Sequence, residues 1–175
     1  MGSGDLLRSL FSRDYTVYWP EKYEGVVEYL KNGGIEDAKA EQILYKFNVG
    51  VIVLSACIGV QHGNKGDNSG KGKEINVSTF ESNGLGAYLY LIPLMANDPP
   101  DLNLMRNPEG EEKAIKIFEE YAAGGLEILN DKYKATGLKS PHMFLDDLLR
   151  ESPFLRPSPD SKGTTFVKDV SIDLF

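Results

Sequence analysis

The apolar positions of this chain change their period several times, and each change marks an element. Leu6, Leu7, Leu10 and Phe11 form a short amphipathic turn or helical arm over residues 1–14. Tyr15-Thr16-Val17-Tyr18-Trp19 is aromatic and β-branched, which suits a strand. Pro20 then opens a helix in which Tyr23, Val26, Val27 and Leu30 fall at i, i+3, i+4 and i+7, one face, until Gly33-Gly34 stop it. Ile43, Leu44, Phe47, Val51, Leu54 and Ile58 carry a helical period through a second segment, residues 37–60. Over residues 49–60 it is apolar on all sides, which predicts a central helix. A buried strand over 49–55 is the competing reading, because periodicity does not separate the two over so short a run.

Residues 61–73 are rich in Gly, Asn and Lys and predict a loop, with Ile75, Val77 and Phe80 in a short extended segment after it. Leu85, Tyr88, Leu89 and Ile92 mark a third helix, kinked or ended near Pro93, and Asp98-Pro99-Pro100 break the chain. The fourth helix has the clearest start. Asn107 suits the N-cap, Pro108 the first helical position, and Glu109, Glu111 and Glu112 the positive end of the dipole. Ile115, Phe118, Ala122, Leu126 and Leu129 form its apolar stripe, with an end near Tyr133. Gly124 and Gly125 sit inside it. Each costs a helix roughly 1 kcal/mol relative to Ala, so the pair implies close approach of another helix or backbone.

A fifth helix opens at Ser140-Pro141 and carries Phe144, Leu145, Leu148 and Leu149. Residues 152–164 read as a linker, followed by the amphipathic end Phe166, Val167, Val170, Ile172, Leu174 and Phe175. The pattern therefore predicts a mainly α fold: a single helical domain over 15–150 with short β segments, an arm over 1–14, and a linker and tail over 151–175.

Composition narrows the picture. The chain has 175 residues, 41% hydrophobic and 26% charged, which is ordinary globular composition for one domain. No apolar run reaches the roughly 18 residues of a membrane helix, and the start, Met1-Gly2-Ser3-Gly4-Asp5, is not a signal peptide. The single cysteine, Cys57, lies in an apolar run and reads as a small core residue in a reducing cytoplasm. His62 and His142 have no metal-ligand companion at useful spacing, so no zinc site and no cofactor is expected. The net charge of −7 argues against a free-standing nonspecific DNA binder, which needs a basic face to displace counterions.

In order, the segments resemble the small accessory proteins associated with DNA phosphorothioation (Dnd) systems. The likeness is carried by Phe118-Glu119-Glu120-Tyr121-Ala122-Ala123-Gly124-Gly125-Leu126-Glu127-Ile128-Leu129, and by Ile58-Gly59-Val60-Gln61-His62-Gly63, a basic loop and a helix beginning Phe80-Glu81. The stretch from Gly72 to Phe80 is distantly similar to the DndE family, mainly helical proteins linked to DNA sulfur modification and DNA binding. The resemblance covers residues 15–133. It implies a bacterial, non-enzymatic subunit of an antiphage defence system. Its partners would be other proteins of that system, an ATPase subunit or a second copy of the chain among the candidates, with DNA reached in the assembly; a DNA-contacting regulator is an alternative reading.

Three candidate sites follow from the residues. Asp67, Glu74 and Asn76 stand where a restriction-type nuclease places its magnesium carboxylates, with Asn76 in the position of the usual Lys. A solvated loop entering a strand is the plainer reading. Lys65, Lys71 and Lys73 are the local basic cluster for a phosphate backbone. Gly70-Lys71-Gly72-Lys73 lacks the hydroxyl of a Walker loop, so it is no nucleotide cradle. In the tail, Phe166, Val167, Ile172, Leu174 and Phe175 either dock in a partner's groove or fold back as an edge strand.

Overall fold

The computed structural model describes residues 9–32, 45–68, 72–136 and 140–151. Over them the fold is mainly α, as the periodicity predicts. β1 (Thr16–Pro20) leads through a 3-10 turn (Glu21–Tyr23) into α1 (Glu24–Asn32). Then come α2 (Asn48–His62), β2 (Gly72–Asn76), α3 (Val77–Ser82) and α4 (Tyr88–Met95). A 3-10 turn (Leu102–Met105), α5 (Pro108–Thr136) and α6 (Pro141–Glu151) complete it.

α5 is the axis of the domain. Its 29 residues span about 44 Å. Its start is capped as expected: the Gly110 N–H donates to Asn107 Oδ1 at 2.8 Å. Ile115, Phe118, Ala122, Leu126 and Leu129 are all buried, and α2 packs against α5. The crossing is close because both helices carry glycine there. A Cβ on Gly125 would land on the Ser55 carbonyl of α2, and one on Gly59 would land on the Tyr121 carbonyl of α5. Gly124 meets Asn64 and Gly66 of the loop after α2 rather than α2 itself. The helix pair thus shares an interface with almost no side-chain spacer.

β1 and β2 form an antiparallel pair in which Val17 opposes Ile75, Tyr18 opposes Glu74 and Trp19 opposes Lys73. Period 2 sends Val17 and Trp19 into the core and leaves Tyr18 exposed.

Several expectations need correction. α2 begins at Asn48, after an extended Phe47, and residues 33–44, with Ile43 and Leu44, lie outside the described residues. Cys57 is exposed, not core. It shares an outward stripe with Leu54 and Gln61 at helical spacing, so α2 is buried on most sides but not all. Val77 and Phe80 belong to α3 rather than to an extended segment, and only Ile75 is in a strand. α4 begins at Tyr88, so Leu85 precedes it, and it ends at Met95, two residues past Pro93 and near that proline as expected. α5 continues three residues past Tyr133. In the arm, residues 10–13 form bends, the turn rather than the helix of the two readings, and Leu6 and Leu7 lie outside the described residues.

The arm is fastened by a buried carboxylate. Phe11 is buried and stacks on Tyr90 at 4.4 Å and 8°. The Ser12 N–H and hydroxyl both donate to the carboxylate of Glu111, a buried residue of α5. Burial works to raise the Glu111 carboxyl, but donors from Ser12 and Tyr15 and the charge of Arg13 outweigh it and hold the group below its usual 4.5. Burial and the Glu111 charge push the Tyr90 phenol up to about 12. A carboxylate lowered in the fold stabilises it above the unfolded value, and the contribution is lost as pH falls through the folded value. Glu111→Gln is therefore expected to lower the urea midpoint at pH 7 and to converge on the parent as pH falls through the folded value, which lies below the usual 4.5. A gap of equal size at pH 7 and pH 3 would show that the charge is irrelevant.

Candidate functional site

The loop that follows α2 is laid onto α5. Gly63 ends α2 with φ 61°, a left-handed cap that favours glycine. The Asn64 N–H then returns to the Gly59 carbonyl at 2.8 Å, and Asn64 Nδ2 donates to the Gly124 carbonyl at 3.0 Å. The Gly66 N–H donates to the Glu120 carbonyl at 2.8 Å. Backbone can lie this close to a helix only where the helix has no side chain, and Gly124 provides that surface. At the end of the loop, Asn68 Nδ2 donates to the Tyr18 carbonyl at 3.0 Å, while the Tyr18 N–H donates to Glu119 Oε1 at 2.6 Å. Burial raises the Glu119 carboxyl above its usual range, against the pull of the Tyr18 amide and Asn68.

The run from Phe118 to Leu129 is accounted for by this geometry. Phe118 packs edge-on against Phe80 at 5.9 Å. Glu119 holds β1, Glu120 and Gly124 hold the loop, Gly125 meets α2, and Leu126 and Leu129 fill the core. The signature is a clamp that joins α2, its loop and β1.

The candidate nuclease residues are separated in their settings. Asp67 is exposed in the loop, whereas Glu74 and Asn76 are exposed on β2. Glu74 and Asn76 line a groove of about 530 Å³ with Lys31, Lys46, Phe47, Asn48, Val49, Ile75 and Thr79; Asp67 does not line it. Among the described residues, no group of three or more His, Cys, Asp or Glu is placed to hold a metal ion. Of the lysines, Lys65 pairs with Glu120 at 3.1 Å and lies over the Tyr121 ring. Lys73 pairs with Glu24, whose hydrogen bond holds the Lys73 ammonium above its usual range. Lys71 and the tail residues Phe166, Val167, Ile172, Leu174 and Phe175 lie outside the described residues.

The sequence reading missed one surface. Tyr88, Leu91 and Met95 fall at i, i+3 and i+7 of α4 and are all exposed, Met95 at 73%. The 3-10 turn packed beside α4 adds exposed Leu102 and Met105. α4 is apolar all round, a pattern that ordinarily reads as a fully buried helix. Leu89, Tyr90, Ile92 and Pro93 take the buried side. No described helix is long and apolar enough to cross a membrane.

Comparison with known proteins follows the same lines. No curated protein and no solved structure matches the chain. The family described as DNA sulphur modification system-associated protein 4 matches residues 26–153, from α1 through α6 and across the glycine pair. This chain therefore belongs to the family of DNA sulphur modification system-associated protein 4.

Proposed function

We propose that the chain is a non-enzymatic subunit of a phosphorothioation-linked antiphage defence system. It binds other subunits, and reaches DNA only within the assembly. The observation that carries this reading is the exposed apolar row of α4, Tyr88, Leu91 and Met95, extended by Leu102 and Met105. Large exposed apolar rows beside polar surroundings are the ordinary mark of a protein interface. An ATPase subunit of the system is a candidate partner.

The test is co-purification with the proteins encoded alongside this one. Leu91→Asp with Met95→Asp changes only exposed side chains of the row, so the melting temperature should stay near the parent's, within the roughly 0.5 kcal/mol typical of surface changes. Binding should weaken by at least about 30-fold, the loss of one hot-spot residue. Full retention of the partner by a folded double variant would remove α4 from the interface.

The nuclease reading makes the opposite prediction. Purified protein with magnesium or manganese is expected to leave plain and phosphorothioated DNA intact. The motive is the placement of Asp67 outside the groove that Glu74 and Asn76 line. Cleavage abolished by both Asp67→Ala and Glu74→Ala would install the enzyme in place of the subunit.

A further inference from the structure

Among the described residues, the two-stranded sheet leaves one edge open. Tyr18 donates its N–H to Glu119 and accepts at its carbonyl from Asn68, so both of its main-chain groups point away from β2. In an antiparallel ladder, Tyr18 and Glu74 are then a pair that exchanges no hydrogen bonds. The N–H and carbonyl of Glu74 consequently point to the far edge of β2, and among the described residues nothing bonds to either. That edge borders the groove lined by Lys31, Lys46 and the half-exposed ring of Phe47. An unpaired strand edge is a template for another strand.

We propose that residues 166–175 of this same chain occupy the edge as a third strand. Their sequence has the required period: Val170, Ile172 and Leu174 alternate with Ser171 and Asp173. A register with Ser171 beside Glu74 puts Val170 and Ile172 on the face of the sheet shared by Val17, Trp19 and Ile75. It sets Asp169 and Asp173 beside Gly72 and Asn76, so neither stands directly beside the Glu74 carboxylate. Lys46 is the groove's cation toward a segment that carries two aspartates and a terminal carboxylate, since Lys31 beside it is paired with Glu28 at 2.9 Å. Length permits it. Glu151 pairs with Lys132 and lies beside His62, the last residue of α2, while the groove holds Asn48, the first. The helix between them spans about 22 Å, and residues 152–165 reach up to roughly 45 Å.

The test uses the isolated chain, so its outcome is independent of the α4 interface. Amide exchange at Glu74 is measured by NMR in the full chain and in a chain ending at residue 163. The amide is expected to exchange about 100-fold more slowly in the full chain. A synthetic peptide of residues 164–175 should restore protection to the truncated chain. Ser171→Pro in the full chain should abolish it, because proline has no N–H to give the ladder. Equal exchange at Glu74 with and without the tail overturns the proposal, as does protection that survives Ser171→Pro. Protection that appears only with a dimer mass places a second copy's tail on the edge and overturns the intramolecular assignment.

Discussion

Gly125→Leu is expected to lower the stability of the domain by about 3 kcal/mol or more. The added side chain has no free direction. A Cβ alone would fall on the Ser55 carbonyl, with the Gly59 nitrogen next nearest, and both belong to the backbone of a buried helix. Overpacking a core by side-chain atoms costs about 1–3 kcal/mol. Here rigid backbone must move, so the cost lies at or above the top of that range, against a total of roughly 5–15 kcal/mol for a domain. The neighbouring position gives the control. Gly124 meets the carbonyl of Asn64 in a loop, and a loop can withdraw more readily than a helix. Gly125→Ala should therefore lower the urea midpoint more than Gly124→Ala. Equal, small shifts in the two alanine variants, or a Gly125→Leu protein that melts like the parent, would end the close-packing account.

The second large effect is Phe118→Ala. Phe118 is fully buried on the stripe of α5 and meets the ring of Phe80 edge-on at 5.9 Å and 89°. Removing a buried Phe side chain typically costs about 3–5 kcal/mol. Phe80 is itself fully buried in α3, so moving it into the space would open a gap where it stood. Denaturant unfolding of Phe118→Ala and Phe118→Leu measures the effect. The leucine variant, which refills part of the volume, should recover a large part of the loss. A loss below about 1 kcal/mol for the alanine variant would mean that the site collapses freely, contrary to interior packing.

Much of the chemistry at this centre lies beyond local pattern. Glu111 and Glu119 read in sequence as two more acids of an acidic helix, one of them assigned only to favouring its dipole. In the fold they accept main-chain hydrogen bonds from Ser12 and Tyr18, residues 99 and 101 positions away. Lys65 and Lys73 read in sequence as cations for a phosphate backbone, yet they are paired with Glu120 and Glu24. Nothing in a window of a dozen residues contains either partner. Cys57 failed for a related reason: an apolar run specifies that a helix is mostly covered, not which stripe is left outside.

What the sequence by itself determined is the set of local elements whose signals are periodic or chemical. The stripe of α5, its Asn107 cap and Pro108 start, the face of α1 and the strand character of residues 15–19 all depend on spacing within one or two turns. It also carried the glycine pair, because two glycines inside a helix have a cost that close backbone contact offsets. Only the tertiary structure decided what approaches them: α2 at Gly125 and the following loop at Gly124. The outer face of α4 was decided there as well. A helix of eight apolar residues has no polar side to declare its orientation, so burial of Leu89 and Ile92, and exposure of Leu91 and Met95, follow from its packing against α5 and α2.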